Sequence, residues 1–429
     1  MQAVWRAQRA ADGGRTLARN RPLRLNHFLM EEAGGFARLG PVGELDLRPV
    51  FQPILDLRDG GVVGYEAFMR SGPEDGELHS ARAMLDAARR EDSVAALDHA
   101  ARDAAIAYAE EAGLGAPFCL FLNTDATTLE GDVPLPDSSL TLLMDVTERA
   151  LIARPEAVLR ALTELRTRGW GIALDDVGAD SRSLAFTPVL YPDVIKLDLR
   201  LLDDRSSEDV ARIVMAVGAE AERRHAVILA EGIHSPEQLE FARVCGATLG
   251  QGYHLGPPGP LPHPLPEPGR PIRLAGGGGD PFGTTPWQRV TNWRRPLRGN
   301  RRLAARALEP LLIHAGDVGE TAMVLGCLVR EKDAERAVRR FGWLQERVAF
   351  VGVLNAGDAF EGTGVRSGAL APDDPLLGTG AVVTLSPDFA ACYVAREEDD
   401  GRWVWAISHD RETVVECALQ LIARMEPLS

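Results

Sequence analysis

What most constrains this chain is a rhythm in its first half: short apolar runs alternate with helical stretches, and nearly every run ends in a polar side chain. VFQPILDL (50–57) and VVGYEAFMR (62–70) flank a turn at Arg58 to Gly61. An Ala-, Arg- and Glu-rich stretch over 80–113 predicts a long helix. FCLFLN (118–123), LTLLMDV (140–146), GIALDD (171–176), VIKLD (194–198) and VILAE (227–231) follow as strands, with a last short one near Gly250 to Leu255. Helical stretches at about 154–168, 207–223 and 236–244 lie between them. About eight strands interleaved with helices predict an α/β fold of the (β/α)8-barrel type. A doubly wound sheet shares the rhythm, but the glycine-rich phosphate turn it often carries after its first strand is missing.

The residues that end these strands are Asn123, Asp145, the pair Asp175 and Asp176, Lys196, Glu231 and Gln251. In a barrel such ends converge on one mouth. Several carboxylates with an amide oxygen form a hard-oxygen site for Mg²⁺ or Mn²⁺. Adjacent Asp175 and Asp176 cannot both face inward from a regular strand, because successive side chains alternate. At a strand-to-loop transition they can, one for each of two metal ions. Two ions clamp the attacking and leaving oxygens in phosphoester hydrolysis. Only Lys196 and Lys332 among the 47 basic side chains are lysine. Lys332, in REKDAER, lies among alternating charges and asks for no special role. Lys196 sits inside an apolar strand, where a compact ammonium does what a guanidinium fork does not. It is placed to stabilise developing charge or an attacking hydroxide.

FQPILDLRDGGVVGYEAFMR, FLNTD, MDVTE, ALDDVG, PDVIKLD, LAEGI and GQGYHLG resemble, in order and spacing, the motifs of EAL domains, phosphodiesterases of cyclic di-GMP. The resemblance covers about 45–258. It implies a modified (β/α)8 barrel that opens cyclic di-GMP to linear pGpG with two Mg²⁺ or Mn²⁺ ions. It implies Glu66, Asn123, Asp145, Asp175, Asp176 and Glu231 as metal ligands, and Lys196 with Glu231 as the pair that positions or activates water. Gln52, Arg70 and Asp198 would contact the substrate, and Gln251 would support the metal-water shell. Arg70 suits phosphate, whose oxygens match its fork. Glu148 would support the loop that, in the family, couples dimer contacts to metal binding; a homodimer is the implied assembly. Several positions depart from the family pattern. Phe68 replaces Leu, Asp145 replaces Glu, Val177 to Leu184 reads VGADSRSL, and His234 replaces Glu. His234 reads as a surface loop residue or an added ligand. A shorter carboxylate at 145 alters a site that depends on placement. It opens a second reading, a weak or inactive EAL domain acting as a cyclic-di-GMP receptor or protein-interaction module. A third, another phosphoester substrate for a metal-dependent barrel, would be exposed by a screen of phosphodiesters.

Four domain segments are expected: a basic, disordered extension at 1–40, the barrel at 41–262, a Pro/Gly-rich linker at 263–289 and a second α/β domain at 290–429. The first thirty residues hold six arginines and one aspartate and no apolar signal core. They read as a tail, or as an extension upstream of a start at Met30. Eight prolines fall in 257–271, and Gly276 to Gly279 follow, the composition of a semi-rigid spacer with a flexible joint. Beyond it, AFVGVLN (349–355), AVVTLSPDFAACYVARE (381–397) and RWVWAISHD (402–410) predict a small sheet, with a closing helix at about 411–425. The pattern is similar to the DICT sensory domain and implies an input ligand of unknown identity. His409–Asp410 reads as a strand-end turn. Five scattered cysteines without a CxxC pair read as buried thiols in a reducing compartment. A net charge of −15 argues against nucleic-acid binding, and no run of eighteen apolar residues offers a membrane span. The expectation is a cytoplasmic phosphodiesterase regulated through its C-terminal domain.

Overall fold

The computed structural model describes residues 45–72, 79–125, 128–129, 138–177, 181–203, 206–274 and 283–426. The basic extension at 1–40 therefore lies outside the described residues. Strands β1 (Leu47–Asp56), β2 (Val62–Ser71), β3 (Cys119–Asn123), β4 (Thr141–Thr147), β5 (Gly171–Val177), β6 (Val194–Asp198), β7 (Val227–Glu231) and β8 (Leu249–Gly250) close into a barrel. β1 runs antiparallel to both its neighbours, whereas β2 to β8 are parallel. This is a (β/α)8 barrel modified by one reversed strand. The short β1–β2 turn is the cause: two strands joined by so few residues can only pair antiparallel. The expected long helix at 80–113 is two, Ala81–Arg90 and Val94–Glu111, divided where Asp92 takes a positive φ of 52°.

The barrel interior is a layer of Ile54, Val63, Phe121, Leu143, Ala173, Val194, Leu229 and Leu249, buried from solvent. Ile272 joins that layer, and Leu274 packs beside it. The proline-rich stretch expected as a spacer instead lies along the barrel. Gly259 exchanges two backbone hydrogen bonds with Phe51, and Pro268 bridges Val62. The composition shows the stiffness of this segment but not its two anchors, whose apolar burial holds it down.

The second domain is built on a seven-stranded sheet among the described residues. Its strands are β9 (Leu297–Gly299), β10 (Met323–Cys327), β11 (Phe350–Leu354), β12 (Arg366–Gly368), β13 (Thr379–Leu385), β14 (Ala390–Glu397) and β15 (Trp403–Ser408). Their spatial order is β12-β11-β10-β13-β14-β15-β9. Helices Arg301–Val318 and Ala334–Phe341 pack with the sheet in one apolar cluster. The closing helix, Arg411–Ile422, starts at Asp410, whose carboxylate accepts the Thr413 N–H at 2.9 Å. His409–Asp410 is thus a strand-to-helix turn. The five cysteines are buried and free. No described helix is long and apolar enough to cross a membrane.

Candidate active site

The interior layer and the polar strand ends are linked by the two-residue period of a strand. Phe121, Leu143, Ala173, Val194, Leu229 and Leu249 face inward. Two residues further along each strand come Asn123, Asp145, Asp175, Lys196, Glu231 and Gln251, which point the same way, toward the mouth. Asp176 would face outward by the same rule. Its φ of 59° and the register shift between Leu174 and Val177 interrupt the alternation there. A non-glycine residue in the left-handed region is uncommon and strained.

Lys196 is the centre of the arrangement. Its ammonium lies 2.6 Å from Asp145 Oδ2, 2.8 Å from Glu231 Oε1, and 3.3 Å from both Glu66 Oε1 and Asp175 Oδ1. The side chain is 1% exposed. Burial alone would lower its pKa, but Asp145, Asp175, Glu231 and Glu66 outweigh burial and hold it well above the ordinary value. The acids feel the complementary strain. Burial raises Asp145 well above the carboxylate range, against the pull of Lys196. Burial pushes Glu231 up to about 8, with Asp175 and Glu66 adding and Lys196 opposing. Burial and Asp175 raise Asp176 as well. One ammonium does not neutralise this many carboxylates, so the mouth carries surplus negative charge.

A row of amides fixes the acid on β2. Gln52 donates to the Gly256 carbonyl at 2.9 Å, and Gln251 donates to Gln52 Oε1 at 3.1 Å and to Glu66 Oε2 at 2.8 Å. Asn123 donates to Glu66 Oε1 at 2.9 Å. Arg70, on the same strand, donates to the Met69 carbonyl at 3.0 Å. Helix Glu148–Ala153 begins at Glu148, whose side chain lies outside the described residues, as do residues 178–180 of the altered loop. His234 stacks on Tyr253, with ring centroids 5.4 Å apart.

Asp198 has a partner that sequence reasoning missed. Its carboxylate accepts the Arg200 backbone N–H at 2.8 Å and the Arg200 guanidinium at 2.6 Å. Asp56 and Arg58 make the same clamp at the end of β1. The tripeptide Asp-Leu-Arg occurs at both strand ends, and that repeat was the available signal. Gly232, at φ 70°, makes room for the clamp: a Cβ there would stand 2.9 Å from Arg200 Cγ.

The donors are all oxygens, which suits a hard divalent cation. Two of them, Asp145 Oδ1 and Gln251 Oε1, are buried without a hydrogen-bond partner. Orphaned buried acceptors are costly unless something occupies them. Among the described residues no three His, Cys, Asp or Glu side chains are arranged as a ready-made cage. The acids are turned onto Lys196, so a cation and the ammonium compete for the same oxygens.

The profile of the EAL domain family matches residues 43–258. A cyclic di-GMP phosphodiesterase of Pseudomonas aeruginosa, NbdA, is 32% identical over 228 residues, 49% of this chain and 29% of that protein. A probable cyclic di-GMP phosphodiesterase of Escherichia coli, PdeG, is 27% identical over 50% of this chain and 45% of that protein. The chain thus spans less than half the length of either relative. Among solved structures, the PaMucR phosphodiesterase in complex with c-di-GMP is 26% identical, with a TM-score of 0.43, over 50% of this chain and 97% of that one.

Proposed function

The chain belongs to the EAL domain family, and from that premise we propose that its barrel hydrolyses cyclic di-GMP to linear pGpG with two divalent ions, Mg²⁺ or Mn²⁺, under the influence of its C-terminal domain. The observation that carries the reading is the buried Lys196 ammonium among four carboxylates at the barrel mouth. Glu66, Asn123, Asp145, Asp175, Asp176 and Glu231 would hold the ions. When bound, these would neutralise the phosphodiester and stabilise charge on the attacking and leaving oxygens. Glu231, with Lys196 at 2.8 Å, would position or activate the water. Lys196 would hold its oxygen. Water adds to one phosphorus, the bond from phosphorus to the ribose 3′ oxygen breaks, and that oxygen receives a proton from solvent. Gln52, Arg70 and Asp198 would meet the substrate, Asp198 while clamped by Arg200. Gln251 would support the site through Glu66, and Glu148 would support the loop.

The regulatory part rests on a joint close to the metal residues. Ten residues after Asp176, Phe186 meets Phe350 of β11 edge-on, with ring centroids 5.6 Å apart. The short helix Thr187–Leu190 then packs against Arg411–Ile422. Arg224 pairs with Glu412 at 2.9 Å, and Arg223 donates to the Pro387 carbonyl at 2.9 Å. A domain docked ten residues beyond Asp176 would shift Asp175 and Asp176 through that contact. A homodimer through barrel contacts belongs to the same reading and is checked by light scattering.

The test is incubation of the purified chain with cyclic di-GMP and Mg²⁺ or Mn²⁺, with chromatography for pGpG. No product under either metal, from a folded sample, would sink the proposal. One observation favours a receptor without turnover: Asp145, one methylene shorter than the residue the family motif carries, turns Oδ2 onto Lys196 at 2.6 Å. Asp145→Glu separates the two. A change under about three-fold fits hydrolysis, whereas a gain of about 100-fold fits a crippled site restored.

A further inference from the structure

Between the sheet of the C-terminal domain and helices Arg301–Val318 and Ala334–Phe341 lies a cavity of about 500 Å³. That is the size of a small-molecule site. Its floor is aromatic and apolar: Tyr393, Phe341 and Trp403 are all buried, and Leu308 and Val382 also line it. The Tyr393 hydroxyl is already spent on the Ala304 carbonyl at 2.9 Å, so it is the ring that faces the space.

The rim carries four arginines, Arg301, Arg302, Arg336 and Arg340, and one acid, Asp333. Arg301 and Arg302 lie in the first turn of one helix, and Arg336 and Arg340, four residues apart, share a face of the other. Asp333 is taken: it accepts from Arg301 and pairs with Arg330 at 3.3 Å. Among the described residues, Arg302, Arg336 and Arg340 have no ion-pair partner. The lining therefore carries four positive charges against one negative, +3 in a chain whose net charge is −15. Arginines that merely keep a surface soluble need no aromatic-floored hollow beneath them. Three unpaired guanidinium groups around such a hollow have forks that match a carboxylate, sulfonate or phosphate.

We propose that this cavity binds a flat aromatic anion, its ring on the Tyr393–Phe341–Trp403 floor and its charged group held by Arg336, Arg340 and Arg302. The site goes beyond the phosphodiesterase reading and does not depend on it.

The test uses the full chain and a fluorescent aromatic sulfonate, 8-anilinonaphthalene-1-sulfonate. Its uncharged analogue, N-phenyl-1-naphthylamine, serves as the comparison. The Arg336→Gln/Arg340→Gln double variant should weaken the sulfonate about ten-fold or more and the neutral amine less than about two-fold. Arg339→Gln, on the same helix but off the lining, should change neither. Displacement by 2-naphthoate alone would mark the natural ligand as an aromatic carboxylate, and displacement by GMP as a nucleotide. The proposal is overturned if the double variant binds the sulfonate as the parent does, if Arg339→Gln weakens it equally, if both probes weaken alike, or if neither competitor displaces it. These readouts involve no cyclic di-GMP turnover, so failure here and failure of the enzymatic reading are separable.

Discussion

The barrel mouth and the C-terminal cavity are opposites in charge and in construction. The mouth gathers carboxylates around one ammonium on strand ends, and Lys196 is 1% exposed. The cavity gathers guanidinium groups around one committed carboxylate on helix faces, with Arg302 and Arg336 open to solvent. Each holds a surplus that its own residues do not neutralise, so each is suited to a counterion of opposite sign. The buried surplus raises the pKa values of Asp145 and Glu231 because desolvation penalises charge. A cation at the mouth therefore competes with protons for the same oxygens.

The largest expected effect would break the claim that the mouth depends on a compact charge. Lys196→Arg keeps the charge but forces a planar fork into a space already filled by four carboxylates. Turnover should fall by about 10²–10³-fold or more, the scale of losing a preorganised charge in a closed site. The measurement is the rate of pGpG formation, beside a melting curve that reports a retained fold. Parent-like turnover would mean the ammonium matters only as a positive charge. The same substitution should leave anilinonaphthalene sulfonate binding untouched.

A second expectation concerns acidity in the metal-free chain. Glu231 has a folded pKa of about 8 against an ordinary 4.5. A group raised on folding contributes stability that is fully present below its unfolded pKa and is lost as pH rises through its folded one. Stability should therefore fall between pH 4.5 and about 8, with Glu231 supplying at most about 1.4 kcal/mol per pH unit. Lys196 remains protonated in both states across this window and adds no slope. Denaturation in a chelator at several pH values measures the trend, and Glu231→Gln should make it shallower, leaving the share of Asp145 and Asp176. Added Mn²⁺ should stabilise more at pH 8 than at pH 5.5, since it competes with protons for the same oxygens. An unchanged slope in Glu231→Gln would place the strain on another acid.

The two sites differ as much in how far sequence discloses them. The mouth is legible because a strand has a period of two and ends abruptly. Six polar residues each follow an interior apolar residue by two positions, and that spacing stands in the sequence. Asp176 is only half legible: a double Asp requires a break in the alternation, but its φ of 59° belongs to the folded backbone. The Asp198–Arg200 clamp was legible only as a repeat of Asp56–Arg58. The cavity was not legible. Arg336 and Arg340 are helix residues four apart, the pattern of any solvated face, and two of the three rings beneath them, Tyr393 and Trp403, come from β14 and β15, more than fifty residues away. The proline-rich segment misleads for a similar reason, because Ile272 finds its neighbours across the barrel rather than along the chain.

The smallest expected effect asks whether the two sites communicate at all. They share a joint in which Arg224 lies 3.9 Å from the centre of the Tyr191 ring and reaches Glu412 at 2.9 Å. Glu412 is 59% exposed, so its ion pair is screened and should contribute about 0.2–1 kcal/mol. Arg224→Ala also removes the ring contact, so it should cost more than Glu412→Ala. A double-mutant cycle isolates the pair from the ring. Turnover carries the functional half of the measurement. If the joint transmits, Phe350→Ala, which removes the edge-on contact to Phe186, should change the rate with saturating substrate by about two- to five-fold. Anilinonaphthalene sulfonate should then alter turnover in the parent chain but not in Phe350→Ala. No response in either would mean that the barrel mouth and the cavity sit on one chain without sharing a free energy. The contrast between them would then be one of chemistry alone, because coupling requires a contact that both ligands bias, and Phe186–Phe350, ten residues beyond Asp176, would not be one.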